Sequence, residues 1–174
     1  MMANEVSIRA ALPTDAGQIA DVYNFYVLNT VITFEEEPVS VDEMAARMAD
    51  VQRRGLPWMV ATVGDVVIGY SYASPWKTRA AYRHSVEATI YLRSGHTGRG
   101  AGRALYSALF PVLRERGIHA VIGGAAMPNP ASVALHEGLG FERVATFRQV
   151  GFKHGRWVDV SYWQLILQAA PGVG

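Results

Sequence analysis

The order of periodic segments predicts a mixed α/β domain around one twisted sheet, in the sequence strand, two helices, three strands, helix, strand, helix, two strands. Three observations carry this expectation. Apolar residues alternate with period two in several short runs. Other segments repeat at helical spacing, and a glycine-rich turn joins one of the strands to one of the helices. With 174 residues the chain fits one domain, expected over 5–168 with short tails at 1–4 and 169–174.

Ser7 to Ala11 reads as a short first strand. Pro13-Thr14-Asp15 then supplies an N-cap for a helix with Ile19, Val22, Tyr23 and Tyr26 on one stripe. Ser40 and Glu43 have capping-box spacing and Gly55 a C-cap position, giving a second helix. Trp58 to Val63 and Val66 to Ala73 flank Gly64-Asp65 as an antiparallel hairpin ended by Ser74-Pro75. His84 to Leu92 is a strand with Val86, Ala88, Ile90 and Leu92 on one face; Glu87, Thr89 and Tyr91 share the other. The glycine turn Thr97-Gly98-Arg99-Gly100-Ala101-Gly102 leads into a helix striped by Leu105, Leu109, Val112 and Leu113, which Pro111 should kink and Gly117 close. Ile118 to Gly123 is a buried strand, and Asn129-Pro130 starts a short helix ending near Gly138 to Gly140. From Phe141 to Leu167 two β-rich runs flank His154-Gly155 as a terminal hairpin.

Half of the residues are apolar and 18% are charged, the composition of a folded protein. The absence of cysteine excludes disulfides, thiolate metal sites and a cysteine nucleophile. His84, His96, His119 and His154 have no metal-ligand spacing, and no serine lies in Gly-x-Ser-x-Gly, so neither a metal nor serine hydrolysis is expected. No export signal appears, nor any run near the roughly 18 apolar residues of a membrane helix. A soluble cytoplasmic protein without a membrane partner is therefore expected. The net charge of +1 provides no field for nucleic acid. Charge is nevertheless uneven, because six cations and the single acid Glu87 lie between Lys77 and Arg103.

A strand, glycine-rich turn and helix bring unpaired N–H groups together at the positive end of the helix dipole, where a phosphate binds; glycines also serve plain tight turns. Arg103 and Ala104 follow Gly102 where a Walker loop needs Lys-Ser/Thr, and Arg103 and Leu105 stand where a dinucleotide fingerprint needs its third glycine. What remains resembles the pyrophosphate loop of the GNAT N-acetyltransferase superfamily, Gln/Arg-x-x-Gly-x-Gly/Ala, matched by Gly100 and Gly102 with Thr97 in the first place. Asn129-x-x-Ser132-x-x-Leu135-His136-x-x-x-Gly140-Phe141 is similar to its second cofactor signature. Within the superfamily the chain most resembles the phosphinothricin and methionine sulfoximine acetyltransferases, through Thr33-Phe34, Glu37-Pro38, Pro75-Trp76-Lys77-x-Arg79-x-x-Tyr82, Val86-Glu87, Leu135-His136-Glu137 and Gly151-Phe152-Lys153-His154-Gly155.

The resemblance implies the GNAT acyl-CoA N-acyltransferase fold, acetyl-CoA as cosubstrate, a small amino-acid-like acceptor (phosphinothricin, methionine sulfoximine or methionine sulfone) and a homodimer. Its cofactor residues would be Thr89, Ile90, Leu92, the turn Thr97, Gly98, Arg99, Gly100, Ala101 and Gly102, and Asn129 with Ser132. Acceptor residues would be Phe34, Trp76, Lys77, Arg79, Tyr82, Glu87 and Thr89. Transfer to an amine needs a base, and Glu87 is that base if desolvation raises its pKa against the nearby cations; otherwise it belongs to a solvated strand face. His136 stands where many relatives carry a tyrosine that protonates the thiolate, and it is either that acid, a relay, or a structural histidine. Arg79 would clamp a substrate carboxylate with its fork, or belong to a solvated basic loop. Trp157, Tyr162 and Trp163 suit either an interface or the core. An acetyltransferase for another amine, such as a protein N-terminus or polyamine, and a non-catalytic CoA-binding regulator remain alternatives.

Overall fold

A computed structural model describes residues 5–167, so the expected tails and Gln168 lie outside the described residues. Seven strands form one sheet: β1 (Val6–Ala10), β2 (Trp58–Val63), β3 (Val66–Pro75), β4 (Ser85–Leu92), β5 (Ala120–Ala126), β6 (Glu142–Lys153) and β7 (Arg156–Ile166). Among the described residues four α-helices accompany them: α1 (Ala16–Asn29), α2 (Val41–Arg53), α3 (Ala101–Glu115) and α4 (Pro130–Gly138). The strand order is β1-β2-β3-β4-β5-β7-β6, antiparallel except between β4 and β5. One face of the sheet packs on α1 and α2 through Ile19, Val22, Met48, Trp58 and Tyr70. The other packs on α3 and α4, where Val86 and Trp163 of the sheet meet Leu109 and Leu113 of α3 and Phe141 beyond α4. Among the described residues no helix is long and apolar enough to cross a membrane.

Both hairpins turn where expected, and the second does so because His154 and Gly155 adopt φ of 50° and 72°. Ser40 Oγ accepts from Glu43 N–H at 3.1 Å, so α2 starts at its expected cap. The return half of the box is missing, because the Glu43 carboxylate pairs with Arg47. Asp15 departs further from expectation. Its carboxylate accepts from the Arg9 fork at 2.7 and 2.9 Å and from Leu12 N–H at 2.7 Å, closing a 3-10 turn (Pro13–Asp15) instead of capping α1. The Arg9 hydrogen bonds hold this buried carboxyl below its ordinary pKa, so its stabilising pair is present above the unfolded value and lost in acid.

α3 continues through Pro111 to Glu115. Ile118 N–H then donates to Leu113 O at 3.0 Å, closing the end of the helix. That use of Ile118 moves the next strand from the expected 118–123 to 120–126.

Candidate functional site

The site arises where two parallel strands separate. β4 and β5 pair only over Ser85↔Ala120, Val86↔Val121 and Glu87↔Ile122; beyond Glu87, β4 stays with β3 and β5 with β7. Ser85 O accepts from Trp76 N–H and Arg93 N–H donates to Ile68 O, so the odd positions of β4 face β3. Alternation then directs the peptide groups of Ala88, Ile90 and Leu92 toward the gap. Two of those carbonyls have tyrosine partners, since Tyr106 donates to Ala88 O at 3.4 Å and Tyr26 to Leu92 O at 2.5 Å. Ile90 is left presenting both its N–H and its C=O to the gap. An edge of this kind accepts an extended, amide-bearing ligand as a substitute strand.

Two cavities meet across this edge. One, of about 430 Å³, runs from Leu92 past Thr97, Gly98, Gly100 and Gly102 to α4 at Ser132. The other, of about 400 Å³, lies between Glu87 and Thr89 of β4, Gly124 of β5, His136 of α4, and Thr33 and Phe34 from the α1–α2 loop. They share Ile32, Ile90, Tyr91, Asn129 and Ser132, so the two spaces adjoin along this edge. Of the expected cofactor residues only Thr89, which faces the Glu87 cavity, Arg99, which is exposed, and Ala101, which is buried, do not line the larger space.

Gly98 and Gly100 take φ of 73° and 86°, and Gly100 is the N-cap residue of α3. A Cβ at either would meet nothing within 4 Å, so their need is conformational and not steric. Gly100→Ala is expected to cost about 1–2 kcal/mol in the turn. Loss of that order in the complex weakens acetyl-CoA by about tenfold, which calorimetry on the variant checks. Asn129 Oδ1 accepts from Ser132 N–H at 3.1 Å as the cap of α4. The carbamoyl Nδ2 is not used by that cap.

Glu87 is half-buried, and burial raises its carboxyl above the ordinary carboxylate pKa while the charge of Lys77 opposes the rise. Both influences anticipated from sequence therefore act, with burial the larger. His136 is 2% exposed; its ring stacks on Trp163 and meets Phe141 and Tyr106 edge to face. Nδ1 lies 2.7 Å from Ser132 O, which assigns the proton to Nδ1 and leaves Nε2 as a bare acceptor. That Nε2 is buried without a partner among the described residues, and burial lowers the pKa of the ring. Resting His136 is thus neutral, and it can donate from Nε2 only after accepting a proton there.

The expected acceptor set divides. Phe34, Glu87 and Thr89 line the smaller cavity. Trp76 does not line it but packs edge-on against Tyr162, which does, and Lys77 Nζ lies 4.7 Å above the Trp76 ring. Arg79 and Tyr82 are exposed at the 3-10 turn Ala80–Tyr82 and line neither cavity, because β3 ends at Pro75 and the chain loops outward before β4 begins. Of the three carboxyl-terminal aromatics, Trp163 is core at 0% exposure, Trp157 is exposed and Tyr162 belongs to the cavity wall. Sequence reasoning passed over Ile32, Gly124 and Val160 as wall residues; only Tyr91 had a signal, as the third member of the Glu87 face. Among the described residues no cluster of His, Asp or Glu could hold a metal.

Residues 8–162 match the acetyltransferase (GNAT) domain family. The chain is 39% identical to a phosphinothricin N-acetyltransferase of Streptomyces viridochromogenes over 91% of this chain and 86% of that protein. It is 36% identical to an L-methionine sulfoximine/L-methionine sulfone acetyltransferase of Salmonella typhimurium over 95% and 98% of the respective chains. A GNAT superfamily phosphinothricin acetyltransferase from Sinorhizobium meliloti, solved in complex with acetyl-CoA, superposes with a TM-score of 0.90 at 39% identity, covering 97% of this chain and 95% of that one. A glycine turn capping α3, an open β4 edge and these likenesses along nearly the whole chain lead to one conclusion: the chain belongs to the GNAT acetyltransferase family and is an acetyl-CoA-dependent N-acetyltransferase.

Proposed function

We propose that the chain, as a single catalytic domain over 5–168, acetylates the α-amino group of a small amino-acid-like acceptor. Phosphinothricin, methionine sulfoximine and methionine sulfone are the candidate acceptors. The observation that carries this reading is that the two cavities adjoin at Ile90, which lines both, with the half-buried Glu87 at the acceptor end. A space of about 400 Å³ walled by Phe34, Tyr91 and Tyr162 suits a compact side chain. The names of the relatives support the same class of acceptor.

In this reading the turn Thr97 to Gly102 offers backbone N–H groups to the pyrophosphate, with Arg99 and Arg103 at its rim. Ile90 pairs with the pantetheine amides, and Leu92 and Asn129 border the same arm. Glu87 takes the proton of the acceptor ammonium. The free amine then forms the N–C bond as the C–S bond breaks, and an N–H on the open edge of β4 faces the charge growing on the thioester oxygen. The bare Nε2 of His136 accepts the second amine proton and passes it to the departing thiolate, and Glu87 releases the first to solvent, which balances the transfer. Lys77, whose charge acts on Glu87, is the cation nearest the acceptor end and suits the substrate carboxylate, while Arg79 and Tyr82 stand outside both cavities. The exposed Val150, Phe152 and Trp157 of the β6–β7 hairpin support assembly as a homodimer.

A panel read by free-thiol release tests the acceptor class. Methionine sulfone, methionine sulfoximine and phosphinothricin are expected to release CoA with kcat/KM at least about a hundredfold above a peptide N-terminus or spermidine. Release with the peptide or polyamine and none with the three amino acids would reject the acceptor assignment while leaving the acetyltransferase chemistry in place.

A further inference from the structure

Lys153 is a buried cation that the transfer chemistry leaves unused. It is 1% exposed, yet no salt bridge to a carboxylate holds it among the described residues. Its Nζ donates to Val27 O at 2.6 Å and to Thr33 O at 2.8 Å. Val27 lies in the last turn of α1, where carbonyls lack intrahelical donors and the helix dipole favours a cation. Thr33 lies in the loop between α1 and α2 whose residues Ile32, Thr33 and Phe34 form one wall of the Glu87 cavity. The same strand makes a second contact with this wall. A Cβ at Gly151 would stand 2.2 Å from Cε1 and Cζ of Phe34, so the Phe34 ring rests directly on the backbone of β6.

Burying an ammonium is costly, and a methionine would fill the same volume without that cost. What the ammonium adds is direction. Two charge-assisted hydrogen bonds fix the end of α1 and the Thr33 peptide at set distances from β6, while Thr33 Oγ1 is held by Tyr23 OH at 2.8 Å. Lys153 itself lines neither cavity, so it acts through the loop.

We propose that Lys153 is a positioning residue for the acceptor: its hydrogen bonds to Val27 and Thr33, together with the seat that Gly151 gives Phe34, set the acceptor-side wall and hence acceptor KM. This rests on the assignment of the Glu87 cavity to the acceptor. The test uses the full chain with Lys153→Met, Lys153→Arg and Gly151→Ala, assayed on whichever amine the unaltered protein acetylates. Lys153→Met is expected to raise acceptor KM about ten- to a hundredfold, with acetyl-CoA KM and the pH profile of kcat unchanged. Lys153→Arg keeps donors for both carbonyls and is expected to recover most of the loss. Gly151→Ala leaves the lysine intact, displaces Phe34, and is expected to give the same acceptor-only signature. Unchanged acceptor KM in Lys153→Met, or losses shared equally by both substrates, would overturn the proposal. Should Lys153→Met fail to fold, unchanged acceptor KM in Gly151→Ala overturns it. Should no amine in the panel react, the acceptor assignment has failed separately, and hydrogen exchange over 30–36 decides: faster exchange in Lys153→Arg or Gly151→Ala upholds the positioning claim, and unaltered exchange in both rejects it.

Discussion

Glu87→Gln is expected to lower kcat by about 10² to 10⁴, the factor a positioned general base contributes, while acetyl-CoA affinity stays the same. The amide keeps the shape of the side chain on β4 and leaves the Ile90 edge and the glycine turn untouched. What it removes is the proton acceptor, and an α-amino group that is largely protonated near neutral pH then depends on the small neutral fraction arriving from solvent. The pH profile separates this account from a packing defect. Burial raises the Glu87 carboxyl above its ordinary value of 4.5, so the ionised base is lost as pH falls through that raised value. The acid limb of kcat should therefore be displaced upward from the ordinary carboxylate position in the unaltered enzyme and be absent from Glu87→Gln. Stopped-flow or steady-state assays across pH, with calorimetric titration of acetyl-CoA, check both halves of the expectation.

Gly123→Ala should have the second largest effect, on folding and turnover together. The added Cβ would fall 2.3 Å from Nε2 and 2.7 Å from Cδ2 of His136. The ring cannot move aside easily, because Trp163 stacks on it at 5.5 Å and Phe141 and Tyr106 close in at 5.0 and 5.8 Å. Overpacking of this kind costs about 1–3 kcal/mol. For a domain of this size that corresponds to a Tm lowered by about 2–12 °C. The methyl group also covers the one nitrogen of His136 left free to accept a proton. Turnover at a temperature well below Tm should therefore fall as well. His136→Phe keeps the ring stack and removes both nitrogens, so a near-normal Tm with reduced kcat is its expected signature.

The legible parts of the fold are those written in short stretches of chain. Gly64-Asp65 and His154-Gly155 turn their hairpins, Ser40 and Asn129 cap their helices with their own side-chain oxygens, and Gly100 takes the positive φ that opens α3. Each is decided by dihedral preference and a hydrogen bond three residues away, which a single sequence carries. The illegible parts depend on partners distant in sequence. Nothing local in Ser85 to Leu92 reveals that its pairing with β5 ends at Glu87, and that ending is what creates the open edge. Asp15 looked like a cap because its claim from Arg9 on β1 is tertiary. Arg79 and Tyr82 stand near Glu87 in sequence, but the strand reversal after β3 carries them outward. Lys153 and Thr33 each fall in a segment that carries the family resemblance, but they are 120 residues apart and nothing local to either pairs them.

The central claim is that the two cavities form one reaction channel across the edge of β4. A crystal structure with CoA and methionine sulfone tests it most directly. The account predicts pyrophosphate at the N–H groups of Gly98 to Gly102, pantetheine amides paired with Ile90, and the acceptor nitrogen within one hydrogen bond or one bridging water of the Glu87 carboxylate. A pantetheine arm lying outside the β4–β5 opening, or an acceptor amine out of reach of Glu87, would contradict it.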